Sequence, residues 1–122
     1  MMIEDRERAI AYITGRICTH SNARLIRDVE TGQLIMMSGE VTEDRVHVYD
    51  LQTRGYVAGS RTAGRWNLFH TSDNATIVLI QTEPGRFAGL DQSSGQWFTV
   101  MVTGRISLVR DFVPGRSRRY SL

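Results

Sequence analysis

A unit of strand, short polar turn and strand recurs along this chain about every twenty residues. The first strand of each unit closes on Asp28, Asp50, His70, Asp91 or Asp111, at spacings of 22, 20, 21 and 20. The copies run from Asp28 to Ile35, Val46 to Val57, Leu68 to Val78 and Gly89 to Phe98. Self-similarity at a fixed period limits the possible architectures before any other property is considered. Apolar runs bounded by Ser, Thr, Asn, Asp and Gly are hairpin signals, and links this short force antiparallel neighbours. The expected fold is mainly β. It is an antiparallel up-and-down meander of about ten strands, closed as a barrel or folded as two packed sheets, with a short N-terminal helix.

In chain order, residues 3–13 read as the helix. Ile3, Arg6, Ile10 and Ile13 fall near one face, Glu4, Asp5 and Glu7 suit the positive end of its dipole, and Gly15 is the expected stop. The apolar stripe is narrow, so such a helix needs a sheet face, a barrel mouth or a second subunit to lie on. Strands are expected near 16–20, 24–29, 33–38, 45–50, 55–60, 65–70, 75–82, 86–91, 96–102 and 105–112. The links are built of residues that turn for stated reasons, Gly admitting positive φ and Asn, Asp and Ser bonding nearby backbone. Residues 113–122 read as a basic tail. A chain of 122 residues implies one domain spanning 1–122.

The N-terminus is charged rather than apolar, no run approaches a membrane span, and Cys18 stands alone. Those features point to a cytoplasmic protein without a disulfide framework. All fifteen basic residues are arginine, a usage that codon bias in a GC-rich genome explains. Charge divides along the chain, from net −3 over residues 1–50 to net +5 over 51–122. Arg116, Arg118 and Arg119 end the most basic stretch and are the candidate anion-binding residues. Nucleic-acid binding through them is one alternative function.

The repeated Asp and His residues carry two readings. A rim of four carboxylates and one imidazole could hold a divalent metal or pair as acid and base, with Asp50, His70 and Asp91 the candidates for a hydrolase-like or metal-dependent enzyme. The stronger reading is that Asp before a turn caps backbone N–H groups. Cys18 and His20 would point in parallel from a strand, which disfavours a nucleophile–base dyad. No phosphate loop, nucleophile elbow or paired Cys-x-x-Cys is present, so no cofactor is expected. His47, Tyr49, Trp66, His70 and Trp97, interleaved with arginines, are the candidate residues for a small-molecule ligand.

The stretch Val46-His47-Val48-Tyr49-Asp50, followed by Gly55-Tyr56-Val57-Ala58-Gly59, resembles the hairpin unit of the small bacterial four-fold β-flower proteins. The same residues are similar to the Tyr-Asp repeats of large secreted toxins. The first resemblance implies a hairpin-built bacterial protein and carries no activity with it.

Residues 76–80 and 97–102 are apolar on both strand faces, where a wall wet on one side would alternate. Phe98, Val100 and Val102 are expected to face a second subunit, which makes a homodimer or higher oligomer the expected assembly. Together these readings favour a non-enzymatic, homo-oligomeric β binding module with its ligand in a barrel mouth or subunit interface.

Overall fold

The computed structural model describes residues 4–72, 74–111 and 115–122, apart from the side chains of Glu4 and Asp5. Ile3 of the expected helix, Asp73 of the 71–74 link, Phe112 and residues 113–114 lie outside that set, as do the two acid side chains expected to favour the helix start. The helix, α1, is Glu4–Thr19. Ten strands follow: β1 Leu25–Asp28, β2 Leu34–Val41, β3 Arg45–Asp50, β4 Gly55–Thr62, β5 Arg65–His70, β6 Ala75–Glu83, β7 Arg86–Asp91, β8 Gln96–Thr103, β9 Ile106–Asp111 and β10 Ser117–Ser121. Each pairs antiparallel with its sequence neighbours, and β1 pairs with both β2 and β10. The meander therefore closes into a ten-stranded barrel. Closure leaves no free strand edge.

The repeat has a structural counterpart at one end of this barrel. Asp28, Asp50, His70, Asp91 and Asp111 are the last residues of β1, β3, β5, β7 and β9. Four residues beyond each of them the backbone is left-handed: Gly32 (φ 75°), Arg54 (59°), Asn74 (54°), Gly95 (72°) and Gly115 (85°). The Asp28, Asp50 and Asp91 carbonyls accept the N–H of Gly32, Arg54 and Gly95 at 2.7, 2.8 and 2.8 Å. One turn geometry is thus used repeatedly, and its left-handed residue is glycine at three positions because glycine adopts that conformation without steric cost.

Residues 6–16 of α1 are buried without interruption. Three helical turns buried on every face require protein on every side. The helix meets β2 and β3 on one side and β8, β9 and β10 on another; it threads the lumen and forms the middle of the core. An eight-stranded barrel is just filled by its own side chains. Ten strands enclose a wider bore, and a helix roughly 10 Å across occupies the difference.

Three expectations are corrected. The helix does not stop at Gly15, and residues 16–19 are helical rather than the start of a strand. Gly15 serves packing: a Cβ there would stand 3.1 Å from Leu122 and 3.3 Å from the Ser107 hydroxyl, so glycine lets the helix approach the wall. The tenth strand is β10, drawn from residues read as a tail, and it supplies the pairing that closes the barrel. Finally, Phe98 and Val100 do not face a second subunit. They are buried in the lumen, and the outward-facing residues of β8 include Trp97 and Met101.

Gly89 faces the lumen beside Phe98, its cross-strand partner. A Cβ at 89 would meet the Phe98 ring at 2.2 Å. Phe98 is fully buried and has no free direction to retreat. Gly89→Ala is therefore expected to destabilise the fold by about 1–3 kcal/mol, the usual range for overpacking. Urea unfolding followed by far-UV circular dichroism measures it, and an unchanged midpoint would contradict this packing.

Candidate functional site

The Asp end of the lumen is a closed electrostatic cluster. Each carboxylate that ends a strand has two oxygens, and they do different jobs. Asp28 Oδ1 accepts from the Glu30 and Thr31 N–H groups, Asp50 Oδ1 from Gln52 and Thr53, and Asp91 Oδ1 from Ser93. These are the turn caps anticipated for Asp before a turn. The second oxygens face cations. Arg8 donates from Nε and Nη2 to Asp50 Oδ2 at 3.0 and 2.7 Å, Arg6 pairs with Asp91 Oδ2, and Arg118 stands 3.7 Å from Asp28 Oδ2. His70 takes the equivalent place in β5 and shares a 3.0 Å hydrogen bond between Nδ1 and the Ser72 hydroxyl. The strand repeat and the helix charges are two halves of one device: the carboxylates come from the wall and two of the arginines from the plug.

Asp111 departs from this pattern. Both its oxygens are buried, and among the described residues no N–H group or hydroxyl donates to either. Its carboxyl lies against that of Glu7 on α1. Glu7 also accepts from Arg116 Nη2 at 3.1 and 3.2 Å and from the Tyr120 hydroxyl at 3.4 Å. The buried carboxyls here are Glu7, Asp28, Asp50, Asp91 and Asp111, whereas the arginines paired with them are Arg6, Arg8, Arg116 and Arg118. Burial lifts the Glu7 carboxyl from 4.5 to about 7, Arg116 opposes that rise, and Asp111 adds to it. Burial and the Glu7 charge also push the Tyr120 phenol up, which keeps it a donor.

At the opposite end α1 terminates and two cavities open. One, of about 380 Å³, is lined by Ile17, Cys18, His20, Glu43, Arg61, Trp66, Gln81, Pro84 and Gly85. The Arg61 guanidinium lies 4.9 Å from the Trp66 ring centroid, and the buried Trp66 Nε1 has no hydrogen-bond acceptor among the described residues. Cys18 and His20 share this cavity, but burial pushes the Cys18 thiol up, the wrong direction for a nucleophile. The other cavity, of about 470 Å³, is lined by Tyr12, Arg16, Asn22, Ala23, Arg24, Ser38 and Gly39.

The ligand candidates read from the sequence are dispersed. Trp66 reaches the mouth; His70 is buried at the Asp end. His47 and Tyr49 point outward beside Tyr56, His47 stacked on its ring at 5.0 Å and Tyr49 tilted against it at 4.7 Å between centroids. Trp97 is 60% exposed on the outer wall. Asp50, His70 and Asp91 do come to one end, where arginines and a serine engage them, and no group of three or more metal-ligating side chains occurs among the described residues. Arg116, Arg118 and Arg119 pair with Glu7, Asp28 and Glu30. The sequence reading missed Arg8 as a partner of the Asp repeat and missed Arg16, Asn22, Arg24 and Ser38 at the mouth. Charged residues on every side of a helix that also carries isoleucines were the available signal. No protein-family model, curated protein or solved structure matches this chain.

Two stability measurements check the cluster. Asp50→Asn keeps a side-chain oxygen for the turn cap and removes the charge opposite Arg8. It is expected to cost about 3–5 kcal/mol, the penalty for stranding one member of a buried pair; a loss below about 1 kcal/mol would contradict the pairing. Glu7 sets a pH dependence. The folded chain holds a proton that the unfolded chain releases above 4.5. This contribution is full below 4.5, is lost as the pH rises to about 7, and is constant beyond that. At about 1.4 kcal/mol per pH unit the total is roughly 3 kcal/mol. Denaturation profiles from pH 4.5 to 8 should show this decline in the unmodified chain and lose it in Glu7→Gln.

Proposed function

We propose that this chain is a non-enzymatic binding module, a homo-oligomeric β-barrel that holds a small molecule at the mouth where α1 ends. The observation that carries this reading is the contrast between the two ends of the lumen. At the Asp end Asp28, Asp50 and Asp91 are engaged by turn N–H groups and arginines, which leaves little for acid–base or metal chemistry among Asp50, His70 and Asp91. At the other end, cavities of about 380 and 470 Å³ lie beside the helix terminus, with Trp66, Arg61, Tyr12 and Arg16 among their walls. Ligand pockets of this size combine an apolar body with a few polar groups. Nucleic-acid binding through the C-terminal arginines is disfavoured because Arg116, Arg118 and Arg119 each have a carboxylate partner.

Self-association is supported by the outer wall. Trp97 and Leu34 are each 60% exposed and Met36 is 56% exposed. Val78, Leu90 and Trp97 lie side by side on adjacent strands, and Leu25 lies beside Met36. Large apolar side chains grouped in this way mark association surfaces, and closed symmetric assemblies are the usual outcome.

Light scattering at micromolar concentration is expected to give a multiple of 13.8 kDa, and Trp97→Glu is expected to reduce it to the monomer. A monomeric unmodified protein would refute the assembly. For the ligand, Trp97→Phe leaves Trp66 as the sole tryptophan. Its fluorescence should respond saturably to at least one member of a panel of small anionic, neutral and cationic aromatics. No response from Trp66 and no saturable thermal stabilisation by any member would end the reading.

A further inference from the structure

Arg16 is 7% exposed and differs from the other buried arginines. Arg6 and Arg8 each face a carboxylate, whereas the hydrogen-bond partners of Arg16 among the described residues are all neutral. Its Nε donates to the Ser21 carbonyl at 2.9 Å, and its Nη1 to the Gly39 carbonyl at 2.8 Å and the Tyr12 hydroxyl at 3.3 Å. Its Nη2 has a single contact, 3.5 Å from Asn22 Oδ1, which is at the outer limit of a hydrogen bond. The guanidinium is fixed by carbonyls along one side and stacked on Tyr12, 5.5 Å from the ring centroid, while its Nη2 edge is underused. A guanidinium carries five N–H donors and cannot lose its charge.

Among the described residues, no carboxylate lines the cavity of about 470 Å³ that Arg16 faces. Its walls are Tyr12, Arg16, Asn22, Ala23, Arg24, Ser38 and Gly39. A second cation, Arg24, therefore lines a space that already holds an uncompensated buried charge. Two like charges around one cavity are unfavourable until an anion enters, and a charge removed from water is costly unless a counter-charge accompanies it. The Asn22 amide and Ser38 hydroxyl add neutral donors. The volume exceeds what an inorganic ion needs, and Tyr12 and Ala23 supply apolar wall for a larger body.

We propose that the Arg16–Arg24 cavity binds a small organic oxyanion, its carboxylate or phosphate seated between the two guanidinium groups. This rests on the reading of the mouth as a ligand site and names the chemistry of the ligand. Arg16 is the pre-positioned donor, held by the Ser21 and Gly39 carbonyls, and Arg24 is the exposed arm that closes on the anion. Charge-assisted hydrogen bonds to guanidinium are the strong, geometry-selective kind that such a ligand requires.

The test uses the full-length protein and four probes at constant ionic strength: benzoate, phenyl phosphate, benzyl alcohol and benzylamine. Backbone amide shifts are followed by NMR. Benzoate, phenyl phosphate or both should produce saturable shifts at residues 22–24 and 38–39, and the two arms separate carboxylate from phosphate chemistry. Benzyl alcohol and benzylamine should not. Arg24→Gln, an exposed change that leaves the core alone, should weaken the anion by about tenfold or more, the weight of one charge-assisted hydrogen bond. Ser38→Asp brings a carboxylate into the cavity; it should raise the melting temperature and abolish anion binding. Saturable binding of the alcohol or amine without either anion overturns this inference and leaves the ligand-binding reading standing. Anion binding unaffected by Arg24→Gln overturns it as well. No saturable binding by any probe, here or at Trp66, overturns both.

Discussion

The pairing of Arg6 with Asp91 and of Arg8 with Asp50 is the constraint on which the rest of the structure depends. A ten-stranded barrel needs something in its bore, and a helix is the object of the right width. A helix in a lumen has no solvent face, however, so every charge it carries must find a partner inside. The wall provides those partners through its repeat, one acidic residue at the end of almost every odd strand. Each of Asp28, Asp50 and Asp91 gives one oxygen to its own turn and faces an arginine with the other. The residues that shape the hairpins therefore also set the depth and rotation of the plug. Pairs of this kind add less to net stability than their geometry suggests, because desolvation offsets their attraction. What they oppose is any other register of the helix, since a slip by one residue would leave several buried charges unmatched.

The two ends of the lumen are consequently unlike. At the Asp end, buried carboxyls and arginines of the described residues are turned toward one another. At the far end the helix runs out, and Arg16 has carbonyls and a tyrosine hydroxyl in place of a carboxylate. The asymmetry follows from the repeat itself. It delivers acids to one end only, so cations at the other end must find their counter-charge elsewhere.

Much of the barrel was legible in the sequence. The spacing of Asp28, Asp50, His70, Asp91 and Asp111 fixed the number of hairpins and brought those residues to one end, and alternation put Trp66, Leu68 and His70 on the inner face of β5. The helix was misjudged for a physical reason. Helical periodicity assumes one wet face and one dry face, and α1 has only dry ones over residues 6–16, so its apolar stripe looked too narrow and Glu7 read as a partner of the helix dipole rather than as a buried group. The last strand was hidden by the same habit of reading charge as exposure: Arg118 and Arg119 are cross-strand partners of Val109 and Leu108 in β10. The aromatic candidates scattered because His47, Tyr49 and Trp97 alternate outward while Trp66 and His70 alternate inward. The cavity at Arg16 was not legible, since it depends on where the link at 20–24 crosses the rim beside Ser38 and Gly39.

The central claim is that α1 is the core of the barrel rather than an appendage to it. Native-state amide hydrogen exchange of residues 6–16 tests this most directly. The account predicts that these amides exchange only through global unfolding, with the same free energy and denaturant dependence as the lumen-facing strands β3, β8 and β9. Exchange of the helix through a separate, lower-energy opening, while those strands stay protected, would contradict it.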